Sequence, residues 1–417
     1  MPRHVVVVGA GAGGMMAAGQ AAFAGARVTL FEKMRQPGRK LRITGKGRCN
    51  LTNSRPLPDF LEHFFPDGRF LRQAFHRFFT PDLVAFFATR GLDVVEERGG
   101  RIFPASGRAA DVVQALEDWL RSLDVELVTM ASVQGILEEN GRACGVQING
   151  RETMAEAVIL ASGGASYPRT GSAGDGYRLA EAVGHRIVAL RPALVPLEVA
   201  GKKTLLAELA GLNLRNVGVR LEVDGKLADR AFGEVCFTGF GLGGPVILTL
   251  SSRVVDFLAA GRKVAVTIDL KPALDEQKLD ARLIRDLTGR CRESMRDVLR
   301  GLVPRELVGP ALQATAISGD MAAGEIRSGQ RLALRHWLKH FRLEISGSRP
   351  IAEALVTAGG VDLAEIDPRT MESRLLTGLY FCGELLDIQA DTGGYNLQAA
   401  FSTGWLAGNC AAVTRKT

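Results

Sequence analysis

The chain has 417 residues, a formal net charge of +7, 46% hydrophobic residues and 23% charged residues. This length predicts more than one domain, because a single hydrophobic core rarely serves a chain longer than about 300 residues. The composition is that of a globular protein, and no stretch reaches the ~18 consecutive apolar residues that a membrane helix needs. Six cysteines and six histidines are scattered without the spacing of disulfide or zinc frameworks, so no metal site is expected. The N-terminus lacks a signal-peptide pattern, and we expect cytoplasmic residence with no membrane partner.

The first predicted element is an apolar strand at residues 5–8 that runs into a glycine-rich turn, VVVVGAGAGG at residues 5–14. Gly9 allows a tight turn, Gly11 has no side chain to hold a pyrophosphate away, and Gly14 lets the next helix approach the strand. That helix is rich in small residues, and its N-terminus offers unpaired N–H groups and a positive dipole end to phosphates. The pattern favours a dinucleotide site over its alternative, a glycine turn in an ordinary βαβ unit.

A second apolar strand, predicted at residues 27–31, ends in Glu32, 23 residues after Gly9. A carboxylate at this distance is typical of the residue that binds the ribose of a dinucleotide. The following stretch, residues 38–53, mixes glycines, cations and Thr or Asn side chains without an apolar period, so an irregular loop is predicted. Such a loop can cover a phosphate-bearing cofactor, and the alternative interpretation is a basic surface loop.

Residues 60–190 alternate between helical and strand-like patterns. Phenylalanines at helical spacing predict a helical core segment at residues 60–90. A buried strand at residues 157–160 ends in Ser162-Gly163-Gly164, where a cofactor can approach the sheet edge. The other predicted elements are a hairpin at 94–97 and 101–104, a helix at 106–123, a strand at 125–130, paired strands at 132–137 and 143–148, and a helix that ends at Gly184-His185.

Residues 191–344 differ from the flanking sequence in their pattern of strands and helices and are predicted to be an inserted domain. This insertion holds 24 Lys and Arg against 18 Asp and Glu, whereas the rest of the chain holds 28 Lys and Arg against 27 Asp and Glu. Nearly all of the net positive charge therefore lies in the insertion. The predicted parts are a discontinuous first domain at 1–190 and 345–417, and an insertion at 191–344 that is β-rich over 191–270 and helical over 271–344, with helices at 274–302 and 327–341.

Two rows of cations in the insertion recur at helical spacing and are candidates for contacts with RNA phosphates. Binding of this kind depends strongly on salt. The alternative is a solvated helix face balanced by Glu293, Asp297 and Glu306, and no aromatic platform for stacking RNA bases is visible. The candidate residues are Arg292, Arg296 and Arg300 in one row and Arg327, Arg331, Arg335 and Lys339 in the other.

The C-terminal stretch returns to short strands and small residues. Residues 376–381 predict a strand that delivers Glu384 at its end. Residues 391–398 then open a small-residue helix that runs to about Ala412. The N-terminus of such a helix stabilises negative charge on a bound group.

Several motifs occur together in this chain, namely VVVGAGAGG, FEK, GRKLRITGKGRCNLTN, LASGGASYPRTGSAGDGY, TAGGVD and GLYFCGELLDIQADTGGYNLQAAFSTG. With them the chain resembles the BaiN/RdsA-like, or aminoacetone-oxidase-like, family of bacterial FAD-binding flavoproteins over nearly its whole length. The resemblance implies an α/β fold, a glutathione-reductase-type FAD-binding Rossmann-like domain interrupted by a β-rich plus helical inserted domain. It also implies an FAD-dependent oxidoreductase.

The resemblance assigns cofactor contacts residue by residue. It places the pyrophosphate against the glycine turn and the flavin against the basic loop and the C-terminal helix. The implied contacts are Gly9, Gly11, Gly13, Gly14 and Gly163 for the pyrophosphate, Glu32, Lys33 and Val133 for the adenosine side, Arg39, Lys40, Thr44, Gly45 and Asn50 for the flavin loop, and Gly383, Glu384, Asn396 and Leu397 for the ribityl chain and ring.

One motif departs from the family pattern. Members commonly carry FTHxGxSGP, whereas residues 237–245 of this chain read FTGFGLGGP. Glycine therefore stands at Gly239 and Gly243, where polar residues are usual, and this difference bears on the identity of the substrate.

The catalytic acid is harder to identify than the cofactor. Cys49 lies in the flavin loop, where a thiol could protonate a reduced substrate carbon, and the alternative is a buried structural thiol. Tyr395 is a candidate to stack on the ring or hydrogen-bond near it, and core packing is the alternative. His185 is interpreted as a helix-end residue rather than a base.

Three functions are compatible with these features. The first is a reductase of an unsaturated small molecule that NAD(P)H supplies with electrons. The second is reduction of uridine to dihydrouridine in 23S ribosomal RNA. The third is a non-catalytic flavin-binding or redox-sensing protein. Both catalytic hypotheses depend on electron transfer through FAD, with the protein supplying position and electrostatics.

Overall fold

The computed structural model describes residues 2–413. The chain folds into two compact units, one built from the residues up to Ala193 and from Ile351 onward, the other from Leu194–Pro350. No helix among the described residues combines the length and the apolarity needed to cross a membrane.

Both units mix strands and helices along the chain. The strands are β1 (His4–Val8), β2 (Arg27–Glu32), β3 (Thr52–Asn53), β4 (Phe64–Phe65), β5 (Val94–Glu97), β6 (Arg101–Pro104), β7 (Glu126–Thr129), β8 (Val133–Glu139), β9 (Arg142–Ile148), β10 (Arg151–Met154), β11 (Ala157–Leu160), β12 (Ile187–Ala193), β13 (Leu197–Val199), β14 (Asn213–Val223), β15 (Lys226–Thr238), β16 (Gly241–Gly243), β17 (Val264–Asp269), β18 (Phe341–Ser348), β19 (Val356–Val361), β20 (Leu379–Phe381) and β21 (Gln389–Ala390). The helices are α1 (Ala12–Phe23), α2 (Arg39–Gly47), α3 (Leu57–Leu61), α4 (Arg72–Arg77), α5 (Thr80–Ala88), α6 (Ala109–Ser122), α7 (Asp175–Ala182), α8 (Lys203–Leu209), α9 (Pro245–Ala259), α10 (Glu276–Gly289), α11 (Met295–Arg300), α12 (Arg305–Thr315), α13 (Ser328–Lys339) and α14 (Tyr395–Ala412).

A five-stranded parallel sheet forms the centre of the first unit, in the strand order β20-β11-β1-β2-β7. Strand β1 lies in the middle, with Val6 opposite Val158 on one side and Thr29 on the other. All five of its residues are buried, because a central parallel strand has both faces covered and needs a continuous apolar run. The predicted Rossmann-type α/β domain is confirmed.

Helices α1 and α14 pack together with almost no side chain between them. A Cβ atom on Gly404 would lie 2.3 Å from the carbonyl oxygen of Gly13, and one on Gly408 would lie 2.2 Å from that of Ala17. Larger residues on this face would separate the helices. This packing accounts for the small-residue runs near both ends of the chain.

Two segments of the first unit differ from the sequence prediction. The irregular loop predicted at residues 38–53 begins as helix α2, and only non-helical backbone at Thr44, Gly45 and Lys46 breaks that helix. The single helical segment predicted at residues 60–90 consists of strand β4 and the short helices α4 and α5, with α3 ending just after it begins. Prolines explain the interruptions, because each removes a backbone N–H that a continuous helix needs.

A closed antiparallel barrel forms the second unit, in the order β13-β16-β15-β14-β17-β18. Along β14 the side chains of Val217, Val219 and Leu221 are buried while the residues between them are less so, as the period of two requires. Helices α10 to α13 share one apolar cluster with the barrel, in which Leu283 and Leu334 are buried.

The inserted region also differs in detail from the prediction. Strand β18 runs to Ser348 and pairs with β17, so the boundary predicted at 344/345 would cut a barrel strand. The β-rich part contains the helices α8 and α9 as well. The helix predicted at 274–302 is two helices, because α10 ends at Gly289 and Ser294 caps a new one by accepting a hydrogen bond from the N–H of Asp297.

Candidate functional site

A cavity of the first unit lies at the carboxyl ends of β1, β2, β11 and β20, where open parallel sheets bind ligands. The N-terminal residues Ala12 of α1 and Asn396 of α14 also line it. The predicted cofactor residues in its wall are Gly9, Gly11, Gly13, Glu32, Lys33, Arg39, Lys40, Thr44, Val133, Gly163, Gly383, Glu384, Asn396 and Leu397. The structure therefore brings together residues that are far apart in sequence.

The glycine turn between β1 and α1 is required by close backbone contacts. Gly9 has a φ of +101°, and a Cβ there would lie 2.7 Å from the carbonyl oxygen of Ala161. A Cβ on Gly14 would lie 1.8 Å from the carbonyl oxygen of Gly9, so Gly14 acts by letting helix and strand meet and does not line the cavity. At Gly11, by contrast, a Cβ would meet nothing within 4 Å. The space beside Gly11 is open to a ligand.

The carboxylate of Glu32 is fixed in the cavity wall by two backbone N–H groups. Ala10 donates to Oε2 and Met34 donates to Oε1, each at 2.8 Å. Both oxygens keep lone pairs for the hydroxyls of a ribose. The neighbouring Lys33 forms an ion pair with Asp175, so its positive charge is balanced within the protein.

Lys40 and Glu384 form an ion pair in the same wall, with Nζ 2.6 Å from Oε2. Lys40 also donates to Oγ of Ser166 at 2.7 Å. The other carboxylate oxygen, Oε1 of Glu384, accepts hydrogen bonds from Oγ of Ser166 and from the N–H of Thr357, each at 2.9 Å. This cluster joins four separate stretches of the first unit and holds a charged pair at the cavity.

The start of helix α14 is held towards the cavity by Asn396. Its Oδ1 accepts from the N–H of Ala390 at 2.9 Å, and its Nδ2 donates to the carbonyl oxygen of Ala390 at 2.8 Å. Leu397 follows in the cavity wall. An 18-residue helix presents a positive dipole end at this point, which suits an anionic group in the cavity.

Two buried polar atoms bear on the fit of a cofactor. Oγ of Ser162, in the cavity wall, and Oδ1 of Asn50 are buried and have no hydrogen-bond partner among the described residues. Buried polar groups are normally satisfied, but Oγ of Ser162 is directed at helix α7, where a Cβ on Gly176 would lie 1.9 Å from it. The open space beside Gly11 is therefore the feature that fits a bound cofactor. Asn50 and Gly45, both predicted cofactor contacts, do not line the cavity themselves, although a Cβ on Gly45 would come within 3.1 Å of the N atom of Asn50.

Cys49 does not have the environment of a catalytic acid. The side chain is fully buried and is not part of the cavity wall. Burial raises the pKa of the thiol to about 12, only partly offset by a hydrogen bond with Thr44. Its burial outside the cavity wall favours the structural thiol among the two interpretations.

Tyr395 packs in an aromatic cluster instead of lining the cavity. Its ring lies 4.7 Å from that of Phe60, edge to face, and stacks on His63 at 4.2 Å. These contacts favour core packing, the alternative to a ring-stacking role for Tyr395. His185 is buried between Oε2 of Glu365 at 2.9 Å and Oγ of Ser373 at 2.8 Å, which is a structural position.

Sequence reasoning missed the residues that organise Glu384. Ser166 and Thr357 were not predicted to take part in the site, yet both hydrogen-bond to its carboxylate. Each lies near glycines just after or within a short strand close to the cavity, and hydroxyl residues at strand ends were the only available signal. Their pairing with an acid that follows β20 depends on how these separate segments pack together, which no local pattern contains.

The second unit neutralises much of its predicted basic surface. Arg331 forms an ion pair with Asp280 at 3.0 Å, and Arg335 forms one with Glu276 at 3.3 Å. The side chain of Lys339 pairs with Asp269 at 2.5 Å and is only 12% exposed. Three members of the α13 row are thus directed at acids, not at an open surface.

The other predicted row is also broken. Arg292 precedes α11, whereas Arg296 and Arg300 lie on it, so the three do not share one helix. Arg300 pairs with Asp297 at 2.8 Å. Arg292, Arg296 and Arg327 are exposed. Of the two rows, these three best fit the prediction of cations that face solvent and could contact RNA phosphates.

The two glycines that depart from the family pattern lie next to open space. A Cβ on Gly239 or on Gly243 would meet nothing within 4 Å. Polar side chains could therefore be accommodated at both positions. No neighbouring residue occupies the space that those side chains would take.

Comparisons with known proteins identify the family of nearly the whole chain. A family model described as the HI0933-like protein Rossmann domain matches residues 3–410. The chain is 34% identical over 412 residues to the 3-dehydro-bile acid delta(4,6)-reductase of Clostridium scindens, covering 98% of this chain and 99% of the relative. It is 31% identical over 405 residues to the ribosomal RNA dihydrouridine synthase of Escherichia coli, covering 96% of each.

A solved structure supports the fold alone. The 3-ketosteroid delta1-dehydrogenase from Sterolibacterium denitrificans, in complex with 1,4-androstadiene-3,17-dione, superposes with a TM-score of 0.50 at 13% identity, covering 98% of this chain and 99% of that one. The glycine turn, the acid at the end of β2 and the family match over residues 3–410 lead to one conclusion. The chain belongs to the HI0933-like family of Rossmann-type FAD-binding proteins and is an FAD-dependent oxidoreductase.

Proposed function

We propose that the chain reduces a carbon–carbon double bond of an unsaturated small molecule, with NAD(P)H as the electron donor. The observation that carries the proposal is the composition of the cavity wall, where the Lys40–Glu384 ion pair lies among apolar side chains that include Leu355, Val356 and Leu397. The relative from Clostridium scindens, which aligns with 98% of the chain, is named for a reductase reaction of this kind.

Bound FAD supplies two-electron transfer between the nicotinamide and the substrate. The residues of the chain would bind and orient it: the turn at Gly9–Gly13 would hold the pyrophosphate, Glu32 would bind the ribose, and the N-terminus of α14 would stabilise negative charge on the ring. Leu355, Val356 and Leu397 line the cavity and would limit the access of water to the reacting region. The net reaction adds one hydride and one proton across the double bond for each nucleotide oxidised.

The test is an anaerobic spectroscopic titration of the purified protein. The protein should be yellow, NADH or NADPH should bleach the flavin, and an unsaturated 3-oxo steroid acid should restore the oxidised spectrum with one saturated product per nucleotide. A colourless protein that does not take up FAD would contradict the cofactor assignment. A flavin that neither nucleotide bleaches would contradict the choice of donor.

Reduction of uridine to dihydrouridine in 23S ribosomal RNA is the second candidate. It is favoured by the name of the Escherichia coli relative and by the exposed cations Arg292 and Arg296. Both candidates saturate a carbon–carbon double bond, so the same flavin chemistry serves either substrate. The deciding measurement is the dihydrouridine content of 23S ribosomal RNA from a deletion strain, and an unchanged content would eliminate this candidate.

A further inference from the structure

The ion pair between Lys40 and Glu384 lies in the cavity wall, on a different strand end from Glu32. We propose that this pair sets the reduction potential of the bound flavin, with Lys40 stabilising the reduced form and Glu384 limiting that effect. The inference rests on the FAD site of the proposed function and adds a tuning role for two of its residues.

Sheet order separates the pair from Glu32, so the pair would lie at the flavin end of a bound cofactor. Glu32 ends β2, whereas Glu384 follows β20, and β1 and β11 lie between these two strands. Three strand spacings of about 4.8 Å separate the two acids by roughly 14 Å across the sheet. With the ribose at Glu32 and the pyrophosphate at the turn after β1, a bound cofactor would extend towards β20. Its ring would therefore lie on the Lys40 side.

The pair is rigidly held, as a fixed charge must be. Glu384 receives three hydrogen bonds, from Lys40, from Ser166 and from the N–H of Thr357. Lys40 uses two of its three N–H groups on Glu384 and Ser166. The third is left for a group in the cavity, whose wall Lys40 lines.

The charges of the pair predict potential changes of opposite sign. A reduced flavin carries more negative charge than an oxidised one, so a nearby cation favours reduction and a nearby anion opposes it. Removing Lys40 leaves Glu384 held by Ser166 and Thr357, and the local charge becomes negative. Neutralising Glu384 leaves the lysine uncompensated, and the local charge becomes positive. If the ion pair only held α2 against the end of β20, the two substitutions would not change the reduction potential in opposite directions.

The experiment measures the flavin reduction potential against reference dyes in the parent protein and four variants of the whole chain. Lys40→Met should lower the potential and Glu384→Gln should raise it, each by at least about tenfold in the reduced-to-oxidised ratio, or ~30 mV for a two-electron couple. The double variant should return close to the parent. The fourth variant, the matched control, is Arg42→Met, because Arg42 lies on the same helix and pairs with Glu117 at 3.1 Å outside the cavity wall.

The FAD content of each variant separates the possible failures. Absence of FAD in the parent protein would remove the site itself, whereas a loaded parent with shifts of the same sign, or with no shift, overturns only the tuning role. If Lys40→Met loses FAD, Glu384→Gln carries the test alone. An unshifted potential in Glu384→Gln would then overturn the inference.

Discussion

A Cβ atom built on Gly14 would lie 1.8 Å from the carbonyl oxygen of Gly9, so helix α1 and strand β1 meet through backbone alone. At Gly11, three residues earlier than Gly14 in the same motif, a Cβ would meet nothing within 4 Å, and the backbone there is extended with φ −83°. The glycines of one motif therefore serve different purposes. Gly14 supports the fold, and Gly11 leaves space for the ligand.

The first prediction separates these two purposes. Gly14→Ala should destabilise the protein by about 3 kcal/mol or more, because α1 must move away from β1. Gly11→Ala should leave the unfolding of the apoprotein unchanged and weaken FAD binding at least about tenfold. Denaturant unfolding and FAD titration of the apoprotein measure both effects. Gly309→Ala is the control, since Gly309 also has open space and lies in α12 of the other unit. Equal FAD affinity in Gly11→Ala and the parent would contradict the assignment.

The second prediction concerns the acid assigned to the ribose. Glu32→Gln should weaken FAD binding about tenfold or more, because an amide group replaces one acceptor of the two backbone N–H groups and removes the charge. Titration of FAD into the apoprotein measures the change. Glu126→Gln is the control: Glu126 accepts a hydrogen bond from Thr29 at 2.9 Å but is not in the cavity wall. A comparable loss in both variants would point to general destabilisation.

The third prediction concerns alkaline stability. Burial raises the pKa of both Cys49 and Cys382 to about 12 from an ordinary value of 9.0. Between these values the unfolded thiol loses its proton while the folded thiol keeps it, so the unfolded state binds fewer protons. Stability must then fall as the pH rises above about 9, by about 1.4 kcal/mol per pH unit for each thiol.

Urea unfolding between pH 8 and pH 10.5 tests this dependence. Cys49→Ala should reduce the fall in the free energy of unfolding by about 1.4 kcal/mol per pH unit, the contribution of one thiol. Removal of the exposed Cys291 serves as the control. The same Cys49→Ala variant should keep turnover within about twofold of the parent, because the thiol is outside the cavity wall. A folded variant without activity would restore Cys49 as a catalytic candidate.

The fourth prediction concerns the cations of the second unit. Arg331→Met should destabilise the protein by about 1 kcal/mol, because it leaves the carboxylate of Asp280, only 20% exposed, without its 3.0 Å partner. Arg292→Ala with Arg296→Ala should not change stability. If the chain binds RNA, the second change should reduce the salt dependence of binding by about one unit for each lost phosphate contact. If Arg331→Met instead reduced the salt dependence and the Arg292→Ala/Arg296→Ala variant did not, the α13 row and not the exposed pair would form the nucleic-acid surface.

Local sequence was sufficient for the first half of the cofactor site. Four consecutive valines predict a strand with both faces covered, and glycine at positions 9, 11 and 14 predicts the turn, because these requirements involve residues within one strand–turn–helix unit. Glu32 follows for the same reason, since β2 lies directly beside β1. These features depend on short-range geometry that residue type alone restricts.

The other half of the site was decided by tertiary structure. Sequence placed Cys49 and Tyr395 near the cofactor because their neighbours carry family motifs, but the direction of a side chain depends on what packs around it. Cys49 turns into the core, and Tyr395 joins the aromatic cluster around Phe60. The cations of α13 likewise looked exposed from their spacing, and only the position of α10 shows that acids face them.

The sequence by itself determined the family, the FAD-binding Rossmann-type domain and the residues of the glycine turn, since these depend on local backbone geometry and on motifs in a fixed order. Only the tertiary structure decided that Lys40, Ser166, Thr357 and Glu384 form one charged cluster. Those residues come from helix α2, the stretch after β11, strand β19 and the stretch after β20. Only the packing of these four distant segments brings them within hydrogen-bond distance.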